Sequence, residues 1–94
     1  MDFTQKFEKN KKIVYREEND GAFLFNPETG NLKYMNRSGR ETFLLLTQQQ
    51  DLSQVINHMS GLFPDVKRRR IEEDLETFLK ELEENGFLSF LNRK

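Results

Sequence analysis

The chain has 94 residues, of which 35% are hydrophobic and 33% charged, a balance that describes one small domain with a single core. Its 15 basic and 16 acidic residues leave a net charge of −1, so any electrostatic function has to come from local clusters. The absence of cysteine excludes disulfides, thiolate-held zinc, iron–sulfur clusters and thiol catalysis and fits a reducing cytoplasm, while no apolar run approaches the roughly 18 residues of a membrane span.

Residues 1–12 are polar, with Phe3 and Phe7 as the large apolar exceptions. They are expected to form a flexible arm, loose or partly docked through those two rings. Residues 13–17 alternate Ile13 and Tyr15 with Val14 and Arg16, the period-2 mark of a first strand. Asn19-Asp20-Gly21 is a tight-turn signal, and Ala22 to Phe25 is a second strand, apolar enough to be central. In Asn26-Pro27-Glu28-Thr29-Gly30, Pro27 presets φ for a type I turn and Gly30 supplies the left-handed residue that closes the hairpin. Leu32, Tyr34 and Asn36 then alternate with Lys33 and Met35 in a third strand, completing an antiparallel meander.

Helices follow. Ser38 and Glu41 have the spacing of a capping box for a first helix over about Gly39–Thr47, with Thr42, Phe43, Leu45 and Leu46 facing inward. Gln48-Gln49-Gln50 links it to a second helix capped by Asp51 and Gln54, with Leu52, Val55, Ile56, Met59 and Phe63 at helical spacing and a stop before Pro64. Asp65 is the expected cap of a third helix with the stripe Ile71, Leu75, Phe78, Leu79 and Leu82, and Asn85-Gly86 is its C-cap. Phe87 to Leu91 form a short apolar tail, either a strand fragment or a plug over the core. Strands first and helices after give an α+β, winged-helix-like domain, β-β-β-α-α-α. It spans residues 13–91, with 92–94 as a C-terminal tail.

These motifs together resemble the PqqD-like family of peptide-recognition domains from ribosomal natural-product pathways. The resemblance spans roughly Tyr15 to Leu88. It is carried by the acidic turn Glu17–Asp20, the glycine-led strand Gly21–Phe25, the turn Asn26–Gly30, and then Tyr34, Met35 and Asn36. Further on it is carried by Gly39, Thr42, Phe43, Leu45 and Leu46, and by Asp74, Phe78, Leu79, Leu82, Gly86, Phe87 and Leu88. Arg37 stands where the family usually has proline, and Thr42 where it has isoleucine or valine. The resemblance implies a non-catalytic, cytoplasmic domain without cofactor or metal. It implies that the leader segment of a precursor peptide adds as a strand to the third strand, against the third helix. The peptide is then presented to a modifying enzyme, often a radical S-adenosylmethionine protein.

The residues are compatible with that implication. In a meander the third strand is an edge, whose unpaired amides and carbonyls are a template for another strand. Candidate contacts are Leu32, Lys33, Tyr34, Met35 and Asn36 on the strand and Ile71, Asp74, Leu75, Phe78 and Leu79 on the helix. Which helix flank faces the strand stays open at this point, as does whether Tyr34 lies in the core or the groove. Lys67, Arg68, Arg69 and Arg70 form the one strong charge cluster, in a first helical turn where cations oppose the macrodipole. Lys67, Arg68 and Arg70 are candidates to meet acidic leader residues or an acidic enzyme. The alternative is a solvated face with Arg68–Glu72, Arg69–Glu73 and Arg70–Asp74 pairs.

Two other classes remain. A winged-helix regulator would bind nucleic acid through the third helix, but five basic residues from Lys67 to Lys80 face seven acidic ones from Glu72 to Glu84, a balance of −2 that repels phosphate. An interaction module would homodimerise through the free edge or the Phe87–Leu91 tail, giving a monomer–dimer equilibrium that peptide disrupts. His58 has no partner at ligand or catalytic spacing and is expected on the surface of the second helix.

Overall fold

A computed structural model describes residues 2–91. Its elements are β1 (Phe7–Lys9), β2 (Val14–Glu18), β3 (Gly21–Asn26), β4 (Asn31–Asn36), α1 (Arg37–Thr47), α2 (Leu52–Leu62), α3 (Arg68–Glu84) and β5 (Leu88–Phe90). The α+β order of three antiparallel strands followed by three helices is present, with one addition. β1 and β5 pair antiparallel in a second sheet, Phe7 opposite Phe90.

The segment expected as a flexible arm therefore contains a strand, docked through Phe7 but not Phe3. Phe7 is 1% exposed, and its ring lies 5.1 Å from that of Phe90. Two charged residues after a phenylalanine give no local strand signal; the pairing is made by a partner far along the chain, at Leu88–Phe90. It also resolves the apolar tail as a strand. The 92–94 tail lies outside the described residues.

The main sheet has the order β2-β3-β4. Asn19 and Asp20 form the two-residue connection between β2 and β3, with Glu18 opposite Gly21. No side chain fits at Gly21, because a Cβ there would collide with the Met35 carbonyl and the Tyr34 ring. At the next turn Gly30 adopts φ +79°, the left-handed conformation that glycine takes without steric cost. One face of the sheet, carrying Ala22, Leu24 and Met35, packs on the helices. There it meets Phe43, Leu46, Val55, Ile56, Leu75 and Leu82 in a single core.

Two cap expectations are corrected. The N-cap of α1 is Asn36, whose side chain accepts from the Gly39 amide at 2.9 Å, and not Ser38. β4 runs into α1 without a loop, so the last strand residue is also the cap, and the Ser38 hydroxyl donates to Asn36 Oδ1. Asp65 does not cap α3: the N-cap is Lys67, with no side-chain hydrogen bond. The Asp51–Gln54 capping box on α2 forms as expected. So does the end of α3, with Asn85 as C-cap and Gly86 at φ +75°.

Candidate peptide groove

β4 pairs with β3 along one edge, and among the described residues no strand pairs with its other edge. α3 runs beside that open edge, and the two walls enclose a groove of about 450 Å³. Met35 and Lys33 belong to the strand wall, and Ile71, Asp74, Leu75 and Phe78 to the helix wall. The Ile71–Leu75–Phe78 flank of α3 is thus the one that faces the strand. Ser38, Gly39 and Thr42 from α1, Val55 and Met59 from α2, and Phe63 at the C-cap of α2 form the floor. Gly39 lies where Met35 and Phe78 converge: a Cβ there would sit 3.3 Å from Met35 Cβ and 3.7 Å from the Phe78 ring.

The walls are held at one end by polar ties. Asn26, 2% exposed, accepts from the Glu28 amide inside its own turn and donates across to the Asn85 carbonyl at 3.3 Å. Asn10 donates to the Gly86 carbonyl next to it. Two residue pairs further along the β3–β4 ladder, Lys33 crosses under the open edge to Glu81 at 2.9 Å, its ammonium 5.9 Å from the centre of the Phe78 ring. The groove is therefore bridged near the C-terminal end of α3. Toward the N-terminal end of that helix it continues to Phe63 and Val66.

The candidate residues divide. Lys33, Tyr34, Met35, Asn36, Ile71, Asp74, Leu75 and Phe78 line the groove. Leu32 does not: it projects from the outer face of the sheet, 65% exposed. Tyr34 borders the groove through its strand position, but its ring packs outside on Phe23, 5.2 Å between centroids. Its hydroxyl points to Asp20. Loss of solvent, and secondarily the Asp20 carboxylate, hold its pKa above the usual phenol value. Leu79 turns the other way, into a separate hollow with Phe7, Leu52 and Phe90.

Lys67, Arg68 and Arg70 lie outside the lining. Arg68 bonds Asn57 on α2 and approaches Glu72, Arg69 pairs with Glu73, and Arg70 holds Asp74 at 3.2 Å. All three expected i, i+4 pairs form, and Asp74 lines the groove while its carboxylate is paired with Arg70 on the same helix. Sequence reasoning missed the floor. Val55, Met59 and Phe63 have ordinary helical core spacing, and nothing local marks the end of that stripe as the bottom of a groove.

A family model described as coenzyme PQQ synthesis protein D, PqqD, matches residues 21–88, well over half of the chain. The chain belongs to the PqqD family. The matched region begins at β3 and ends in β5, so it contains both groove walls. No curated protein matches the chain. Among solved structures it is similar to TbiB1 in complex with the TbiA(beta) leader peptide, with a TM-score of 0.80 and 21% identity over 87% of this chain and 94% of that one. It is also similar to a lasso peptide synthetase B1 complexed with the leader peptide, with a TM-score of 0.80 and 19% identity over 89% of this chain and 98% of that one. At those identities the likeness is one of fold. The two departures from the PqqD pattern are absorbed locally. Arg37 is exposed in the first turn of α1, and the buried Thr42 hydroxyl donates to the Ser38 carbonyl at 2.9 Å. No helix among the described residues is long and apolar enough to cross a membrane.

Proposed function

We propose that this PqqD-family domain is a non-catalytic peptide chaperone acting in the cytoplasm, where ribosomal precursors are made. It captures the leader segment of a precursor by strand addition to β4, against α3, and presents it to a modifying enzyme. The observation that carries this reading is the unpaired edge of β4 beside an apolar groove. Edge amides and carbonyls supply main-chain bonds worth about 0.5–1.5 kcal/mol each, and a side chain buried in the groove adds about 1.5–3 kcal/mol. Two proteins of similar fold, TbiB1 and a lasso peptide synthetase B1, are each complexed with a leader peptide, which supports the same reading. The groove residues of β4 and α3 are the proposed contacts. Lys67, Arg68 and Arg70 would meet the guest or the enzyme only outside the groove.

The test is an amide NMR titration of labelled protein with the leader half of a precursor encoded beside this gene, with duplex DNA as control. The expected result is shifts along Leu32–Asn36 and the Ile71–Phe78 flank with peptide only. Shifts across Lys67–Arg70 with DNA, and none with peptide, would overturn the proposal in favour of a nucleic-acid-binding regulator.

A further inference from the structure

We propose that the guest strand is read on both of its faces. Its groove-side residue is read by the β4–α3 groove, and its outward residues are read by Leu32 and Tyr34 on the uncovered face of the sheet. The inference rests on strand addition to β4 and specifies the peptide class: a short run apolar on both sides, rather than one that alternates apolar with polar.

The sheet register sets the outer face. Val14, Phe25 and Leu32 form one row across β2, β3 and β4, and Arg16, Phe23 and Tyr34 form the next. The helices pack on the opposite face, with Ala22, Leu24 and Met35. Val14, Phe25, Leu32 and Tyr34 are all exposed, Leu32 the most. Arg16 is the charged side chain in these rows, and it lies 5.4 Å from the centre of the Phe23 ring.

The two edges of the sheet are treated differently. Edge strands are ordinarily protected by charge. β2 follows that rule, with Arg16, Glu17 and Glu18 in a five-residue strand. β4 carries one charged residue, Lys33, and that side chain is drawn under the sheet to Glu81. The large side chains left at the outer surface of this edge are Leu32 and Tyr34, with Asn36 beyond them taken up as the cap of α1. Tyr34 is also held in place, its ring against Phe23 and across Gly21, where a Cβ would lie 2.7 Å from the hydroxyl oxygen.

Strand addition then fixes the chemistry of the occupant. Residues directly opposite in antiparallel strands point to the same face, with Cβ atoms about 4.5–5.5 Å apart. Guest residues opposite Leu32 and Tyr34 must therefore project outward beside them, and the residue between them projects inward. Apolar side chains at the two outward positions cover Leu32 and the free edge of the Tyr34 ring. A second copy of this chain fits the face less well. A stable dimer covers about 800 Å² per partner through 20–30 residues, far more than these few side chains.

The test is a double-mutant cycle by calorimetry with the same synthetic leader peptide, its two outward residues first identified from cross-strand NOEs to Leu32 and Tyr34. Leu32→Ser and Tyr34→Ser on the protein are each expected to weaken binding by about two- to fivefold. The loss should disappear when the facing guest residue is already serine. Leu32→Ser changes an exposed side chain, so it keeps the test valid if Tyr34→Ser disturbs the hairpin. If the leader binds along β4 and neither substitution couples to the guest, the two-face inference is wrong while strand addition stands. If the leader does not bind the unmodified protein, strand addition itself fails and the inference with it. A dimer dissociated by Leu32→Ser, with peptide affinity unchanged, would assign the face to a second copy and overturn the proposal.

Discussion

Asn26 shows how one side chain can set the geometry of a site it does not line. Its carbonyl oxygen closes the β3–β4 turn through the Glu28 amide, and its amide group ties that turn to the Asn85 carbonyl at the end of α3. Replacing a buried, bonded asparagine by alanine leaves partners unsatisfied, at about 1–3 kcal/mol. Asn26→Ala is therefore expected to lower unfolding free energy by that amount in urea titrations. Amide shifts should spread to Asn85 and Gly86 as well as the turn. Pro27 and Gly30 announce the turn in the sequence, whereas the bond to a residue 59 positions away has no local signature.

Among the elements, α3 is built against its own dipole. Its N-cap is Lys67 with no side-chain bond, its first turn is Arg68-Arg69-Arg70, and no basic residue stands in its last turn. Cations near a helix N-terminus cost about 0.3–1 kcal/mol each when exposed, and the exposed i, i+4 pairs return little. Lys67→Asp supplies a capping oxygen and removes one opposed charge. It is expected to raise stability by about 0.5–2 kcal/mol in chemical denaturation. α2 shows the contrary case, a capping box written in the sequence and formed as written. For α1 and α3 the sequence offered acceptable caps at Ser38 and Asp65. The chain uses Asn36 and Lys67, because the cap falls where the backbone leaves the preceding segment, and that path is set by packing.

For the whole molecule, the β1–β5 sheet joins the two ends of the described chain beneath the helices. Phe7 is fully buried there, its ring against that of Phe90, and belongs to the same core as Phe87 and Leu88. Phe7→Ala is expected to cost about 3–5 kcal/mol, a large part of the 5–15 kcal/mol typical of a small domain. Thermal unfolding would register it as a marked fall in Tm. A fall of only a degree or two would mean that the pairing contributes little and that residues before β2 act as a detachable arm.

The sequence alone determined what depends on neighbours in the chain. Strand alternation, the Asn26–Gly30 turn, the apolar stripes of the helices, the α2 capping box and the glycine after α3 are all local patterns, and the family resemblance is carried by their order. Tertiary structure decided what depends on distant partners. It turned the Ile71–Phe78 flank of α3 toward β4, drew Lys33 beneath the sheet to Glu81, and sent Leu32 and the Tyr34 ring to the outer face. It also paired β1 with β5. A strand's alternation separates its two faces but does not say which is covered, and a helix stripe wider than one contact leaves its two flanks equivalent. Only the packing of sheet on helices breaks those degeneracies, and the groove exists where it does.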